Sequence, residues 1–596
     1  MTTPLPRRLA LALLLCLALV AGASAGSFEV ATYADLCKVG TGTDGWTLDA
    51  DYIQTADIQC PAGENFTPIG TWDTPFMGKY DGGGYAIQNM QIHTTDFCPG
   101  LFVLLGSTAE VRDVHLVDVD IDAYTSRVGA LAGESQGQVS ECTASGTVAG
   151  AWGVGGLIGQ MSSGNVTGCI FSGNVSAPSH FGGLIGVMNS GSVEECSSSG
   201  FTTGQYNGGL IGQLNGGTVT GCNSSVRVIG NSCGGFIGQM TAGSVAWCNA
   251  TGDVGDLVSD GSDFGRGGLV GRLDGGTLSD SSATGSISGG YLLGGFVGYG
   301  SGTITRCFAT GSIQMSIGCL EMYHAGGFVG RLNDGTLTEC YATGDVLNTS
   351  YLSGGFLGAF EYGSVTDSYA TGDVTVVVAG ENRRAGGFIG RWGVLGDGPA
   401  GSITNCYSTG HVTAPAGSTD VGGFVGSLDT VSGPPATAAY WDTETSGQAA
   451  SAGGAVGKTT AEMQTLATFA AWDIASVANH TSEIWFICDG EYPKLAWQGL
   501  PDKLPYPIAV RDAHSFLMRG TAVPIPGAVV TYSGVRSVAG PDGVAMIDVE
   551  RNLAGDAMIT ISGIAKNCAI TTKSVRKSDL EDGVTILLLP MNTYSG

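Results

Sequence analysis

Gly155-Gly156-Leu157-Ile158-Gly159 is the stretch that decides the fold, because the same unit recurs along much of the 596-residue chain. Further copies begin at Gly182, Gly208, Gly234, Gly267, Gly294, Gly326, Gly354, Gly386 and Gly422, and a degenerate copy begins at Val128. Successive copies lie 26 to 36 residues apart. A regular period of this length indicates a solenoid in which each unit stacks on the next.

Each unit continues with the same pattern after its glycines. About ten residues after the second Gly comes an apolar position, seen at Val166, Val193, Val219, Val245, Leu278, Ile304, Leu337 and Val365. Three residues later comes Cys or Ser, at Cys142, Cys169, Cys196, Cys222, Cys248, Ser281, Cys340 and Ser368. Counted from the second Gly of its unit, Cys307 comes one residue early. A third apolar stretch follows, as in residues 250–254.

Three short strands and three glycine-marked turns per unit predict one coil of a parallel β-helix, an all-β fold. Its glycines are expected to take positive φ at the corners. A helical solenoid is excluded, because the Gly-Gly pair in each unit would cost a helix ~1 kcal/mol per Gly.

The cysteines of the repeat admit two interpretations. They are either stacked inward as small apolar groups or bonded between coils, but the in-register spacing of ~4.8 Å exceeds the Cβ separation of ~3.8 Å that a disulfide prefers. Cysteines outside the repeat position are better disulfide candidates. We expect intrachain bonds Cys37–Cys60 and Cys233–Cys319, and we expect Cys568 to be available for a bond to another chain.

The repeat resembles the GLUG motif, named for its Gly-Leu-(hydrophobic)-Gly core, over residues 126–430. The segment Tyr80-Asp81-Gly82-Gly83-Gly84-Tyr85-Ala86-Ile87 before it and Tyr440-Trp441-Asp442 after it are also similar to such proteins. The resemblance implies a right-handed parallel β-helix and a role at the bacterial or archaeal cell surface. It implies no particular reaction or ligand.

The chain is predicted to contain five parts. Residues 1–25 are typical of a signal peptide, with Arg7 and Arg8 before an apolar run and Ala23-Ser24-Ala25 as the cleavage site. Residues 26–125 form the N-terminal cap and first coils, and 126–430 form the GLUG-repeat β-helix. Residues 431–498 supply a last coil and a C-terminal cap with a short helix from Thr459 to about Ala471. Residues 499–596 resemble a small β-sandwich of the carboxypeptidase-regulatory or immunoglobulin-like kind.

Patterns typical of catalysis are weak in this sequence. None of the seven histidines belongs to the His-Glu-x-x-His pattern of a metallopeptidase. The glycine-rich run ending at Lys458 and Thr459 has a loose phosphate-loop pattern but lacks the strand and the βαβ setting that nucleotide binding requires. The net charge of −27 argues against a nucleic-acid partner. We therefore predict no enzyme activity, no cofactor, no metal and no transmembrane segment in the mature chain.

Three features are candidates for interaction. Arg272, Arg331 and Arg391 share one repeat position, which holds Gln160, Gln213 and Gln239 in earlier coils; this is either an outward polar strip or a glycan-binding strip. Longer coils carry insertions at 255–266, 314–325 and 376–385, which are either tolerated slack or contact loops holding Tyr323, His324, Arg383 and Arg384. Seven glycosylation sequons occur, at Asn65, Asn165, Asn174, Asn223, Asn249, Asn348 and Asn479.

The sequence favours a secreted, non-enzymatic protein of the cell surface with a structural or adhesive role. Its expected partners are other copies of itself or components of the cell envelope, assembled into a layer or sheath. The alternative is a glycan-binding or glycan-cleaving β-helix protein.

Overall fold

The computed structural model describes residues 27–255, 265–289, 291–315, 323–348, 351–377, 383–393, 401–429, 435–477 and 482–499, and eight short segments between 503 and 588. It confirms an all-β fold built on a right-handed parallel β-solenoid of about 12 turns. The predicted signal peptide lies outside the described residues. The chain divides into two compact units, Met1–Thr460 and Ala461–Gly596.

The solenoid begins with a short strand and a capped helix. Phe28–Val30 pairs in parallel with Asp51–Gln54, and helix α1 spans Tyr33–Lys38 between them. The Thr32 and Asp35 side chains form a reciprocal capping box at the start of α1. A 3-10 turn at Thr43–Gly45 then leads the chain into the first coil.

Each coil contains more strands than the three predicted, because the Gly-Gly pair interrupts the first one. Strands that end at the pair are Ser126–Gly129, Trp152–Gly155, Arg266–Gly267, Leu292–Gly294, His324–Gly326, Leu352–Gly354, Arg384–Gly386 and Asp420–Gly422. Strands that follow it are Phe102–Leu105, Ala132–Ser135, Ile158–Met161, Ile185–Met188, Ile211–Leu214, Ile237–Met240, Val270–Leu273, Leu357–Phe360, Ile389–Trp392 and Val425–Leu428.

The next column holds the predicted Val/Ile/Leu position. Its strands are Lys79–Asp81, Glu110–Arg112, Gln138–Ser140, Asn165–Thr167, Ser192–Glu194, Thr218–Thr220, Ser244–Ala246 and Thr277–Ser279. Val297–Thr305 and Val329–Thr338 run through this column and the one before it, and Ser364–Ala370 and Ser402–Ser408 run through this column and the one after it.

The remaining strands follow the Cys/Ser corner. They are Ile58–Gln59, Ala86–Gln88, His115–Ala123, Thr143–Ala149, Ile170–Gly182, Ser197–Gly208, Asn223–Ser224, Asn249–Ala250, Ser282–Ala283, Phe308–Ala309, Tyr341–Ala342, Tyr440–Asp442 and Val456–Lys458. A last short column contains Gln91–Thr94, Arg227–Ile229, Ile287–Ser288, Ile313–Gln314, Val346–Asn348, Val374–Val376 and Val412–Thr413.

The coils lie in register, as the sequence predicts. The main-chain N–H of Leu157 donates to Leu184 O at 2.9 Å, and that of Leu184 donates to Leu210 O at 2.9 Å. The same buried column continues through Phe236, Leu269, Phe296, Phe328, Phe356, Phe388 and Phe424. The rings of Phe356 and Phe388 stack with centroids 4.7 Å apart, close to the ~4.8 Å between neighbouring strands. Stacked apolar side chains therefore form a continuous core.

The glycines of the Gly-Gly pair are needed for close approach rather than for positive φ, which corrects the prediction. A Cβ added to Gly183 would lie 2.1 Å from Gly209 O of the next coil, and one added to Gly209 would lie 2.1 Å from Gly235 O. Positive φ falls instead on the glycines before the Val/Ile/Leu strands, such as Gly191 at 94° and Gly217 at 91°. Only glycine lets the main chains of successive coils meet this closely at the pair.

The Cys and Ser side chains of the repeat form one buried column. Its members are Cys142, Cys169, Cys196, Cys222, Cys248, Ser281, Cys307, Cys340, Ser368 and Cys406. The Cys196 thiol donates to Glu194 O at 3.2 Å and accepts the N–H of Cys169 at 3.4 Å. The Ser281 hydroxyl repeats both contacts, with Ser279 O at 2.6 Å and the N–H of Cys248 at 3.1 Å. The thiols thus stack inward and bond the main chain at the corner.

Cys307 belongs to this column, although the sequence places it one residue early. Its thiol donates to Thr305 O at 3.3 Å, the same contact that its neighbours make. The coil that follows has one extra residue, which a register shift between Gly300 and Ser301 absorbs. Local bulges of this kind keep the column aligned while unit lengths vary.

The residue before each corner Cys or Ser adopts positive φ even where it is not glycine. Values run from 48° to 58° at Glu141, Glu195, Trp247, Asp280, Arg306, Glu339, Asp367 and Asn405. A left-handed L-residue costs about 1–2 kcal/mol. The main-chain hydrogen bonds between coils, and the hydrogen bonds of the following Cys or Ser side chain, offset this cost and stabilise the left-handed conformation.

The second unit contains small sheets. Helix α2 spans only Thr460–Met463, shorter than predicted because Thr465 is extended, and a 3-10 turn follows at Leu466–Phe469. Ile474–Ser476, Trp485–Ile487 and Lys494–Leu495 form a three-stranded sheet, followed by a 3-10 turn at Ala496–Gln498. One four-stranded sheet contains Lys503–Asp512, Val523–Pro524, Val544–Glu550 and Val584–Leu588, and another contains Val529–Tyr532, Val535–Val538, Met558–Ile564 and Thr571–Arg576. The β-sandwich arrangement stays a prediction.

Gly209→Ala is expected to destabilise the solenoid by at least about 3 kcal/mol, because the new Cβ would overlap the Gly235 carbonyl of the main chain. Gly42→Ala is the matched control: its φ is 78°, and no atom lies within 4 Å of the added Cβ. The control should lose only about 1 kcal/mol of backbone strain. Thermal unfolding followed by far-UV circular dichroism measures both, and equal losses would contradict the close-approach explanation.

Cys196→Ala is expected to cost about 1 kcal/mol more than Cys196→Ser. Alanine leaves Glu194 O and the N–H of Cys169 without their side-chain partner. Serine reproduces the two contacts that Ser281 makes in the same column, three coils later. Chemical denaturation of both variants tests this expectation. If serine were the more damaging substitution, the thiols would be acting as apolar filling alone.

Candidate functional site: columns on the coil surface

The residues of the predicted polar strip lie one above another in a single column of the solenoid. Main-chain register aligns Glu134, Gln160, Val187, Gln213, Gln239, Arg272, Tyr299, Arg331, Ala359, Arg391 and Ser427. Arg272, Arg331 and Arg391 therefore do share one face with the three glutamines. The column is not uniformly exposed, since Gln160 and Arg391 are more than nine-tenths buried.

Arginines of the later coils are joined by one carboxylate. Glu361 accepts from Arg331 at 2.8 Å and from Arg391 at 3.0 Å. His324 is buried beside them, and both its burial and the charges of Arg391 and Arg331 hold the pKa of its imidazole well below the ordinary value. Arg384 is paired with Asp429 and lies 3.6 Å from Asp420. The cluster is a compact ionic network in which His324 is neutral.

The four residues expected on contact loops lie at the ends of strands. Tyr323 and His324 are buried, and Tyr323 stacks on Tyr291 with ring centroids 4.2 Å apart. Arg384 begins a strand and Arg383 lies over the ring of Tyr351 at 5.8 Å. The central residues of the three insertions lie outside the described residues, so the contact role of these loops stays a prediction.

The predicted disulfides are not formed among the described cysteines. Cys37 and Cys60 are both free thiols, with Cys37 exposed and Cys60 buried. Burial, together with the nearby Cys37 thiol and the Glu64 carboxylate, raises the pKa of the Cys60 thiol to about 11. Cys233 is buried with its thiol donating to Gly230 O at 3.2 Å. Cys319 and Cys568 lie outside the described residues.

Five of the seven sequon asparagines are exposed on the solenoid. These are Asn65, Asn165, Asn174, Asn223 and Asn249. Asn249 Nδ2 donates to Asn223 Oδ1 of the preceding coil at 3.1 Å, so these two lie in one surface column. The side chain of Asn348 and the whole of Asn479 are outside the described part of the chain.

Corner positions of the later coils carry a row of partly or fully buried acidic residues. Arg306 donates to both Asp280 oxygens, at 2.6 and 2.9 Å, and Asn405 Nδ2 donates to Asp367 at 3.1 Å. Burial raises the pKa of the Glu339 carboxyl, although Arg306 opposes the shift. The interleaved Arg and Asn side chains thus reduce the repulsion between carboxylates of neighbouring coils.

Sequence reasoning missed an aromatic edge on the earlier coils. We define it as Trp72, Phe97, Arg127, Trp152, His180 and Tyr206. The Arg127 guanidinium lies 4.8 Å from the centre of the Trp72 ring and 5.1 Å from that of Phe97. His180 stacks on Tyr206 with ring centroids 5.0 Å apart and lies 5.8 Å from Trp152.

A buried carboxylate holds the arginine of this edge in place. Glu134 is 3% exposed and accepts from Arg127 at 2.7 Å and from the Ser162 hydroxyl at 2.7 Å. Gln160 Nε2 contacts it at 3.4 Å. The sequence indicated part of this cluster, because Gln160 occupies the polar repeat position that Glu134 shares. It gave no signal for Trp72 and Phe97, which belong to coils without the repeat.

Neither a metal site nor a membrane-spanning helix is found among the described residues. No group of three or more His, Cys, Asp or Glu side chains there has the arrangement of a metal site. No helix in the same ranges is long and apolar enough to cross a bilayer.

Comparison with known proteins agrees with the repeat pattern. Residues 267–288, 289–314, 323–347 and 349–375 match the family described as the GLUG motif. A 149-residue stretch, 24% of this chain, is 34% identical to Halomucin from Haloquadratum walsbyi, and it spans 2% of that protein's length. No solved structure matched the chain. Four consecutive GLUG motifs therefore lie between residues 267 and 375, each on a coil of the solenoid.

Proposed function

We propose that the protein is a secreted, non-enzymatic component of the cell surface whose solenoid serves as a stiff structural or adhesive rod. The observation that carries this proposal is the register of the coils, which resumes after each local bulge. About 12 turns at ~4.8 Å each give a rod of roughly 55 Å in which main-chain hydrogen bonds run along the axis. Copies packed side by side or end to end would build an envelope layer or sheath.

Exposed positions of the coils suit a protein that works outside the cell. Small polar side chains and five exposed sequon asparagines face solvent, and the net charge of −27 keeps the chain soluble. The similarity to part of Halomucin and the predicted signal peptide support the same location. The two C-terminal four-stranded sheets, packed as a sandwich, would be a separate module for attachment.

The aspartates at the Thr-Gly-Asp-Val corners act as structural acceptors. Asp345 Oδ1 accepts the N–H of Asp373 at 3.0 Å, and Asp373 Oδ1 accepts the N–H of His411 at 2.8 Å. Asp253 does the same for Ser286 at 3.0 Å. Aspartates committed to the main chain of the next coil support a structural role over glycan cleavage.

Electron microscopy of the cell surface and of the purified full-length protein tests the proposal. We expect the protein at the surface, either in ordered arrays or as rods that bind cells, because the coil register makes the solenoid rigid. Gly209→Ala should abolish both the ordered arrays and the cell-bound rods, and Gly42→Ala should keep whichever of them the unchanged protein forms.

Incubation of the purified protein with a panel of polysaccharides is the complementary test. Release of shortened products would overturn the non-enzymatic part of the proposal. Fractionation of the native protein with the cytoplasm would overturn its placement at the cell surface.

A further inference from the structure

A groove of about 400 Å³ runs along the solenoid beside the aromatic edge. It is lined by Asp122, Ala123, Tyr124, Ala149, Gly150, Ala151, Ser176, Ala177, Pro178 and Thr203, which belong to four successive coils. Main-chain register stacks Asp122, Ala149, Ser176 and Thr203 in one column. The groove therefore lies across the strands and along the axis, and its volume is within the range of small-ligand sites.

The lining of this groove contains one aromatic side chain, Tyr124, which is 84% exposed at one end. Trp152, His180 and Tyr206 follow the lining residues by a few positions in three successive coils. The His180 and Tyr206 rings are stacked, and the Trp152 ring is tilted by 48° against that of His180. Burial lowers the pKa of the His180 imidazole, so this side chain is uncharged at neutral pH.

Polar atoms of the groove are available to a ligand. Among the described residues, the side chains of Asp122, Ser176 and Thr203 have no hydrogen-bond partner, and neither does the indole N–H of Trp152. Aromatic faces next to a few unpaired hydroxyl, carboxylate and N–H groups suit a pyranose, whose C–H face packs on a ring while its hydroxyls bond the polar atoms.

We propose that this groove binds an uncharged oligosaccharide that belongs to another molecule. Asp122 and the net charge of −27 disfavour acidic glycans. A peptide strand cannot add to this face by β-augmentation, because the lining strands already pair with the coils above and below. Lining residues are small or polar, so the groove offers little to a lipid chain.

Isothermal titration calorimetry of the full-length protein with cellohexaose, chitohexaose, mannohexaose and laminarihexaose tests the proposal. At least one hexasaccharide should bind, and Tyr124→Ala and Trp152→Ala should each weaken its binding at least 10-fold. Tyr124→Ala is informative even if Trp152→Ala folds poorly, because Tyr124 is almost fully exposed. Trp247→Ala is the matched control, since Trp247 is 62% exposed at a corner that does not line the groove; it should bind as the unchanged protein does.

Several results would overturn the proposal. The first is the absence of binding to all four hexasaccharides, and the second is equal binding by the Tyr124 and Trp247 variants. The third is tighter binding of an acidic hexauronate, titrated in the same way, than of any of the four neutral sugars. Binding that appears only in Asn174→Gln would also overturn it, because the chain's own glycan would then be the occupant. Groove variants leave the core unchanged and should keep the surface arrays or rods, so failure here is distinguishable from failure of the structural role.

Discussion

Main-chain hydrogen bonds from each coil to the next are the constraint on which the whole solenoid depends. They require that the backbones of successive coils approach closely at the Gly-Gly pair, where a single Cβ would overlap a carbonyl oxygen of the neighbouring coil. Every other column follows from that register: Leu157 lies over Leu184 and Leu210, and Cys196 bonds the main chain of Cys169. A repeat unit that cannot bury its apolar face alone becomes stable once stacked in this way.

The same register turns single surface positions into lines that run along the axis. One position gives the polar column that contains Arg331 and Arg391, another gives the asparagines Asn223 and Asn249, and a third gives the stacked rings of His180 and Tyr206. An extended partner, such as a glycan chain or a second solenoid, can contact several coils of such a line at once. A structural role at the cell surface and glycan binding by the groove are therefore compatible uses of one scaffold.

Three of the expectations that needed correction depended on packing rather than on pattern. Positive φ was expected for the glycines in general, but at the Gly-Gly pair the nearest atoms of the next coil, which are remote in sequence, decide the need for glycine. Tyr323 and His324 were placed on a contact loop because they lie within an insertion, yet they pack against Tyr291 and beside Arg391. The predicted Cys37–Cys60 bond is not formed, since sequence spacing says nothing about the relative orientation of two thiols.

The sequence by itself determined the parallel solenoid and the membership of each repeat position in a column. It left the choice between stacked and bonded thiols open, and the tertiary structure decided for the inward stack. A period of regular glycine, apolar and Cys/Ser positions has one way to bury its apolar residues, namely to repeat the same coil. Only the tertiary structure decided which exposed residues meet across coils. Trp72 and Phe97 come from coils without the repeat, and Arg127 precedes its degenerate first copy. The groove near Tyr124 is lined by residues of four successive coils. Contacts between such residues depend on the path of the main chain at the corners, which no single coil's sequence specifies.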